Sequence, residues 1–264
     1  MLYRNTALSQ EASLRDGEVH VWKAPLASEH DSSQLTKLLD QVEREQAVSF
    51  AFDVDRNRYV HSHGILRLVL ARYAGCEARE LRFQRDVKQK PHLRQDGGIS
   101  DLHFSLSHTD KCALIAVRRS WPVGVDIERL RILQDVRVLG SRWFTRSENQ
   151  WLANLSGAAL QEAFFDLWTH REAVIKALGT DLETGLRGLE CNFDRSGNVR
   201  LVSWQGDREI VGAWRLERLQ LGLDYRAALA TLGPLEAIRW FSSGVGVVAD
   251  GWPAPTRVGR RDLG

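Results

Sequence analysis

Twice along its 264 residues the chain switches from an apolar period near 3.6 to a period of two. The first switch follows Val54 to Tyr73, where Ile65, Leu66, Leu68, Val69 and Leu70 predict a long helix ended by Gly75. Strands are then expected at Leu81–Arg85, Leu102–Leu106, Cys112–Val117 and Val123–Ile127. The second switch follows a helix predicted over Leu160–Leu178 and stopped by Gly179. Strands are expected after it at Leu189–Phe193, Val199–Trp204, Val211–Leu219 and Tyr225–Thr231, with a hairpin turn at Asp194–Asn198. Ahead of both lie a strand at Glu18–Lys23 and a helix from about Ser32. Asp31 is that helix's N-cap, with Gln34 three residues on, and Leu35, Leu38, Leu39 and Val42 form its apolar stripe. This repeated order predicts an α+β fold of two similar halves. Each is a small antiparallel sheet packed with helices, and the active cleft lies between them. The halves are placed at residues 1–128 and 129–232, and residues 233–264 at a peripheral C-terminal extension.

Composition narrows the function. Against 34 acidic residues stand 36 basic ones, a net charge of +2, too small an excess for a duplex-binding protein. With 43% apolar and 27% charged residues, a disordered or fibrous chain is excluded. No run approaches 18 apolar residues, and the N-terminal stretch lacks an apolar signal core, so neither a membrane span nor export is expected. Cys76, Cys112 and Cys191 are odd in number and far apart, which fits a reducing cytoplasm.

The most informative stretch is Pro122-Val-Gly-Val-Asp-Ile-Glu128. In a strand, Asp126 and Glu128 share one face while Val125 and Ile127 take the other. Two carboxylates about 7 Å apart repel each other, a cost that a bound divalent cation removes. The same pattern also fits a strand end whose acids are simply solvated. Trp168, Glu172 and Lys176 lie near one helix face, so Glu172 is a third candidate ligand; equally, Glu172 and Lys176 have the spacing of a surface ion pair. An all-carboxylate set points to Mg²⁺ rather than zinc. Ser105-Leu-Ser107-His108-Thr109 ends a strand with groups that can donate to a phosphate or cap a turn. Residues 79–94 hold six basic and two acidic side chains, including Lys88-Gln89-Lys90-Pro91, and this excess suits a polyanionic small ligand or a solvated face. His61 and His63, two apart on a helix, face different ways and make a poor metal pair.

Taken in order, Asp55-x-x-Arg58, Gly64-x-x-Arg67, Lys90-Pro91, Phe104-Ser-Leu-Ser-His108, Gly124-Val-Asp-Ile-Glu128 and Trp168-Thr-His-Arg-Glu-Ala-Val-Ile-Lys-Ala177 resemble the 4′-phosphopantetheinyl transferases. The likeness is to their Sfp-type branch, single chains with a pseudo-dimeric fold, and it runs from about residue 18 to 232. The resemblance implies Mg²⁺-dependent transfer of phosphopantetheine from coenzyme A to a serine of an apo carrier protein, releasing adenosine 3′,5′-bisphosphate. It implies that Asp126, Glu128 and Glu172 bind the metal, with Glu172 also the general base and Lys176 stabilising the leaving phosphate. Ser107, His108 and Lys176 are implied to contact coenzyme A, as are Arg58 and the loop residues Lys88, Gln89, Lys90 and Pro91. The family's lysine before the motif glutamate is Arg171 here, and its loop glycine is Gln89. Where some relatives place phosphate-binding lysines on the first helix, Glu43 and Gln46 flank Arg44. The alternative is an inactive coenzyme A- or nucleotide-binding protein of the same fold. A further expectation is that the segment from Arg129 to Arg146, with five arginines and one aspartate, docks the acidic carrier protein through Arg137, Arg142 and the apolar Val136, Leu139, Trp143 and Phe144. The chain is expected to act as a monomer in the cytoplasm.

Overall fold

The computed structural model describes residues 13–26, 32–95, 98–194, 197–207 and 210–242, and the backbone of 256–262. In chain order the elements are β1 (Glu18–Pro25), α1 (Ser33–Thr36), α2 (Gln41–Val48), α3 (Asp53–Ala74), β2 (Arg82–Arg85), β3 (Pro91–Gln95), β4 (Gly98–Ile99), β5 (Leu102–Thr109), β6 (Cys112–Arg119) and β7 (Val123–Arg129). They continue as α4 (Val136–Trp143), α5 (Arg146–Ala153), α6 (Gly157–Leu178), α7 (Leu182–Gly188), β8 (Leu189–Phe193), β9 (Val199–Trp204), β10 (Trp214–Arg218), β11 (Tyr225–Leu232), β12 (Ala237–Ser242) and β13 (Thr256–Asp262).

The two halves repeat one plan. In the first, β1 pairs with β6 and β6 with β5; in the second, β7 pairs with β11 and β11 with β10, all antiparallel. Each half carries a 22-residue helix, α3 or α6, ended by a left-handed glycine, Gly75 or Gly179. Each helix is followed by a hairpin, β2–β3 or β8–β9. The layers stack as helix, sheet, sheet, helix. Ile65, Val69 and Leu70 of α3 bury against Trp22, Ile115 and Val117. Val19, Val21 and Leu114 on the other face of that sheet meet Val123, Val125 and Ile127 of the second sheet. Phe165, Ala173 and Val174 of α6 close the stack with Ala228 and Ala230.

One departure from the expected elements has a local cause. The helix expected from about Ser32 is broken in two, because Asp40 forms a capping box with Glu43 and starts α2 afresh. Asp31, its expected cap, lies outside the described residues. The basic connection from Arg129 to Arg146 carries α4, and Thr145 and Glu148 form a second capping box that starts α5 behind it. The segment after Gly233 was expected to be peripheral, yet β12 lies parallel to β1 with Glu18 opposite Ala237, and buries Ile238 and Phe241.

A chain of buried polar groups ties β12 to the first sheet. Arg239 grips Glu18 at 2.5 Å, and Glu18 lies 3.5 Å from Nε2 of His20, which is wholly buried. The Tyr73 hydroxyl accepts from Trp22 Nε1 at 2.7 Å, so its single proton is assigned to His20 Nδ1, 2.8 Å away. Burial, outweighing Glu18, lowers His20 to about 4. A histidine depressed from 6.5 contributes stability that is present above pH 6.5 and lost as the pH falls toward 4. The expected loss is about 3 kcal/mol over that window. It reads out as a urea midpoint that falls more steeply with acidification in the wild-type protein than in His20→Phe; parallel curves would contradict it.

Candidate active site

Strand β7 alternates as its sequence requires. Val123, Val125 and Ile127 face the inter-sheet core, and Gly124, Asp126 and Glu128 face α6. Gly124 sets the spacing: a Cβ there would stand 1.9 Å from the Ala173 carbonyl oxygen and 2.6 Å from the Ala177 nitrogen, both backbone atoms. Only glycine permits this approach, which lays Glu172 and Lys176 of α6 over the acid-bearing strand.

Asp126 is buried. Its Oδ1 accepts from Lys176 Nζ at 2.6 Å and from Ser107 Oγ at 2.7 Å, while its Oδ2 is buried without a hydrogen-bond partner. Lys176 also donates to Ser107 Oγ at 3.0 Å. Glu128 is half-buried and held at 3.2 Å by the exposed Arg131. Burial and the negative charge of Asp126 push Glu128 upward. Burial pushes Glu172 up to about 7, with Asp126 and Glu128 adding to the shift and Lys176 opposing it. Asp126, Glu128 and Glu172 therefore sense one another as like charges. Among the described residues no group of three acidic, histidine or cysteine side chains stands as a ready-made metal cluster.

The cations gather on one side. His108 is held below an ordinary histidine by the protein mass around it and by Lys176 and Arg58. Arg58 pairs with Asp55 at 3.3 Å and reaches Asp110 at 3.6 Å, and Asp110 also binds Arg129 at 2.8 Å. Lys88 and Gln89 lie exposed at the tip of the β2–β3 hairpin, and Pro91 opens β3. Lys90 instead crosses to the second half, donating to the Ala177 carbonyl near the end of α6 at 2.6 Å. Burial lowers its ammonium to about 8. Ser107, Asp126, Glu128, Glu172, Lys176, His108 and Arg58 thus line one region between the halves, and Lys90 bridges the same gap from the hairpin side.

Residues 122–230 match the model of the 4′-phosphopantetheinyl transferase superfamily, and residues 22–120 that of the 4′-phosphopantetheinyl transferase N-terminal region. The chain is 36% identical over 168 residues to the 4′-phosphopantetheinyl transferase HetI of Nostoc, covering 63% of this chain and 71% of that protein. The chain belongs to the 4′-phosphopantetheinyl transferase superfamily. Further relatives are a phosphopantetheinyl transferase of Thraustochytrium, 27% identical over 76% of this chain and 75% of that protein, and Sfp of Bacillus subtilis, 23% identical over 66% and 75%. This transferase thus has the two-half α+β fold that its sequence predicts.

The two departures from the family pattern have distinct structural answers. Gln89 sits at φ 68°, in the left-handed region where glycine is at ease, at the turn held by Asp86. Gln89→Gly is expected to raise stability by about 0.5–1 kcal/mol, the left-handed strain exceeding glycine's added chain entropy. A higher denaturant midpoint at unchanged slope checks it, and a lower midpoint would refute it.

Arg171 points inward and is fully buried. It binds Glu148 at 2.6 Å, the Leu189 carbonyl at 3.0 Å, the Trp143 carbonyl at 3.2 Å and the Leu186 carbonyl. The first half contains its counterpart. Arg67 is also wholly buried, binds Glu43 at 2.6 Å and Asp40 at 2.5 Å, and donates to the carbonyls of Ala78 and Leu81. Each arginine is the fifteenth residue of its helix, and each glutamate is the third residue of a capping-box helix. Glu148 escaped the sequence reading, although Thr145-x-x-Glu148 carried the signature of its box.

Proposed function

We propose that the cleft between β7, α6 and the Ser107–His108 strand end performs Mg²⁺-dependent phosphopantetheine transfer from coenzyme A to a carrier-protein serine. The observation that carries this reading is the placement of Asp126 and Glu128 on one face of β7 with Glu172 of α6 packed over it, near enough for like-charge repulsion though not a preformed metal cluster. Their charges oppose one another, and the buried Asp126 Oδ2 has no hydrogen-bond partner. That donor set fits a hard divalent cation, with Asp126, Glu128 and Glu172 as its holders. A Mg²⁺ ion held by these residues would neutralise charge on the pyrophosphate of coenzyme A.

The chain's own residues do the rest. Arg58, His108 and the Lys88–Pro91 hairpin flank the side where the nucleotide's phosphates and adenine bind. Glu172 accepts the proton of the attacking serine hydroxyl. The serine oxygen bonds to phosphorus as the phosphorus–oxygen bond to adenosine 3′,5′-bisphosphate breaks. Lys176, 2.6 Å from Asp126, stabilises the negative charge on that leaving phosphate. The site lies within one chain, which suits a monomer. Among the described residues no helix is long and apolar enough to cross a membrane, and Cys112 and Cys191 are buried thiols, in keeping with a cytoplasmic enzyme.

The carrier docks over α4 and α5. Val138 of α4 and Ile132 just before it are exposed, whereas Val136 and Phe144, expected on the docking face, are buried in the core and Leu139 and Trp143 pack against it. Exposed apolar side chains beside Arg137 and Arg146, which line a cavity of about 460 Å³, suit an acidic helix. Reversing charge at Arg137 and Arg142 is expected to raise the KM for carrier, most at low salt, and to leave the KM for coenzyme A in place. An unchanged carrier KM would remove this docking face. Intact-mass analysis tests the reaction itself: apo carrier, coenzyme A and Mg²⁺ should yield the phosphopantetheine mass gain, and a chelator should abolish it. No gain with any carrier would overturn the reading.

A further inference from the structure

Strand β7 has two edges. One is paired along its length with β11 through main-chain hydrogen bonds. The other runs beside β5, yet β5 and β7 share no sheet. Every second backbone N–H of β7 points into that gap and would be left without a main-chain acceptor. Three hydroxyls take their place: Val125 N donates to Ser105 Oγ at 3.1 Å, Ile127 N to Ser107 Oγ at 3.4 Å, and Arg129 N to Thr109 Oγ1 at 3.4 Å. The offset is 20 residues in every case, and the hydroxyl residues alternate along one face of β5, as the pleat requires.

From this ladder we infer that Ser105, supported by Thr109, is a positioning residue of the transferase, fixing the acid-bearing strand against the half that carries His108 and Arg58. The inference rests on the proposed roles of Asp126 and Glu128. Ser105 is buried and accepts from the amide of Val125, the residue before Asp126. Ser107, between the two, has a saturated hydroxyl: its proton goes to Asp126, and its lone pairs receive Ile127 N and Lys176 Nζ. It has no capacity left to hold the strand if its neighbours let go. Removing the Ser105 hydroxyl orphans a buried N–H, and β7 must shift or admit water to satisfy it. A shift of the strand moves Asp126 relative to Glu172, and misplacement of that kind is costly in rate rather than in substrate affinity.

The test compares Ser105→Ala with Ser105→Thr in the full chain, by steady-state kinetics and by hydrogen exchange at the Val125 amide. Ser105→Ala is expected to lower kcat by about 10- to 100-fold with the KM for coenzyme A changed less than about threefold, and to speed Val125 exchange. Ser105→Thr, which restores the acceptor, should recover both. An unaltered kcat in Ser105→Ala, or a loss that threonine fails to rescue, overturns the positioning role. A wild-type protein that transfers nothing refutes the proposed reaction instead. The ladder is then judged by exchange alone: unchanged Val125 exchange in Ser105→Ala overturns it, and faster exchange rescued by threonine upholds it.

Discussion

Glu172→Gln is expected to lower kcat for phosphopantetheine transfer by at least about 10³-fold. General base catalysis alone supplies about 10²–10⁴-fold, and the same substitution removes one of three proposed metal ligands. Glutamine keeps the size and one acceptor oxygen, so the fold should survive. It should even gain. Burial beside Asp126 and Glu128 raises Glu172 to about 7, which means the folded state resists its ionisation. An acid raised above its unfolded value contributes stability below pH 4.5 that is lost as the pH rises through about 7. In the absence of metal, Glu172→Gln should therefore be more stable than wild type above pH 7, by about 1–3 kcal/mol. Lost activity together with raised stability marks a residue strained by its function. Parallel losses of both would mean that Glu172 is merely structural.

The second large effect belongs to a residue that touches no substrate. Arg171→Met is expected to cost about 3–5 kcal/mol, because it strands Glu148 as a buried charge and leaves carbonyls of Trp143, Leu186 and Leu189 without their donor. In a chain of this length each kcal/mol corresponds to roughly 2–4 °C in Tm, so melting should fall by roughly 6–20 °C. Arg171→Lys keeps the charge but not the fork that serves Glu148 and the carbonyls at once, and should lie between wild type and methionine. Adding Glu148→Gln to Arg171→Met should return part of the loss, since the unpaired charge is gone. Thermal melts of the three variants decide this. A wild-type Tm in Arg171→Met would show that the buried pair contributes nothing.

Periodicity made α3 and α6 legible, because each presents a long apolar face and ends at a glycine that adopts the left-handed conformation. The alternation of Val125 and Ile127 with Asp126 and Glu128 was readable for the same reason: a strand has only two faces. Less legible were features that depend on partners far away in the chain. Nothing local to Asp40 says that its carboxylate also meets Arg67, 27 residues on. Residues 237–242 looked peripheral because their partner strand begins at Glu18, more than two hundred residues earlier. Lys90 is plain as a basic loop residue, but its reach to Ala177 exists only once the halves are stacked. Arg171 was legible only as a charge-keeping replacement for the family's lysine; its inward turn follows from Glu148, which it meets only in the folded chain.

If Asp126, Glu128 and Glu172 hold one divalent ion as proposed, coenzyme A binding depends on that ion. Calorimetric titration with coenzyme A, with Mg²⁺ and with a chelator, tests it on wild type and on Asp126→Asn. Binding at least about tenfold tighter with Mg²⁺ is expected in the wild-type protein, and that gain should disappear in the variant. An equal Mg²⁺-dependent gain in Asp126→Asn would contradict it.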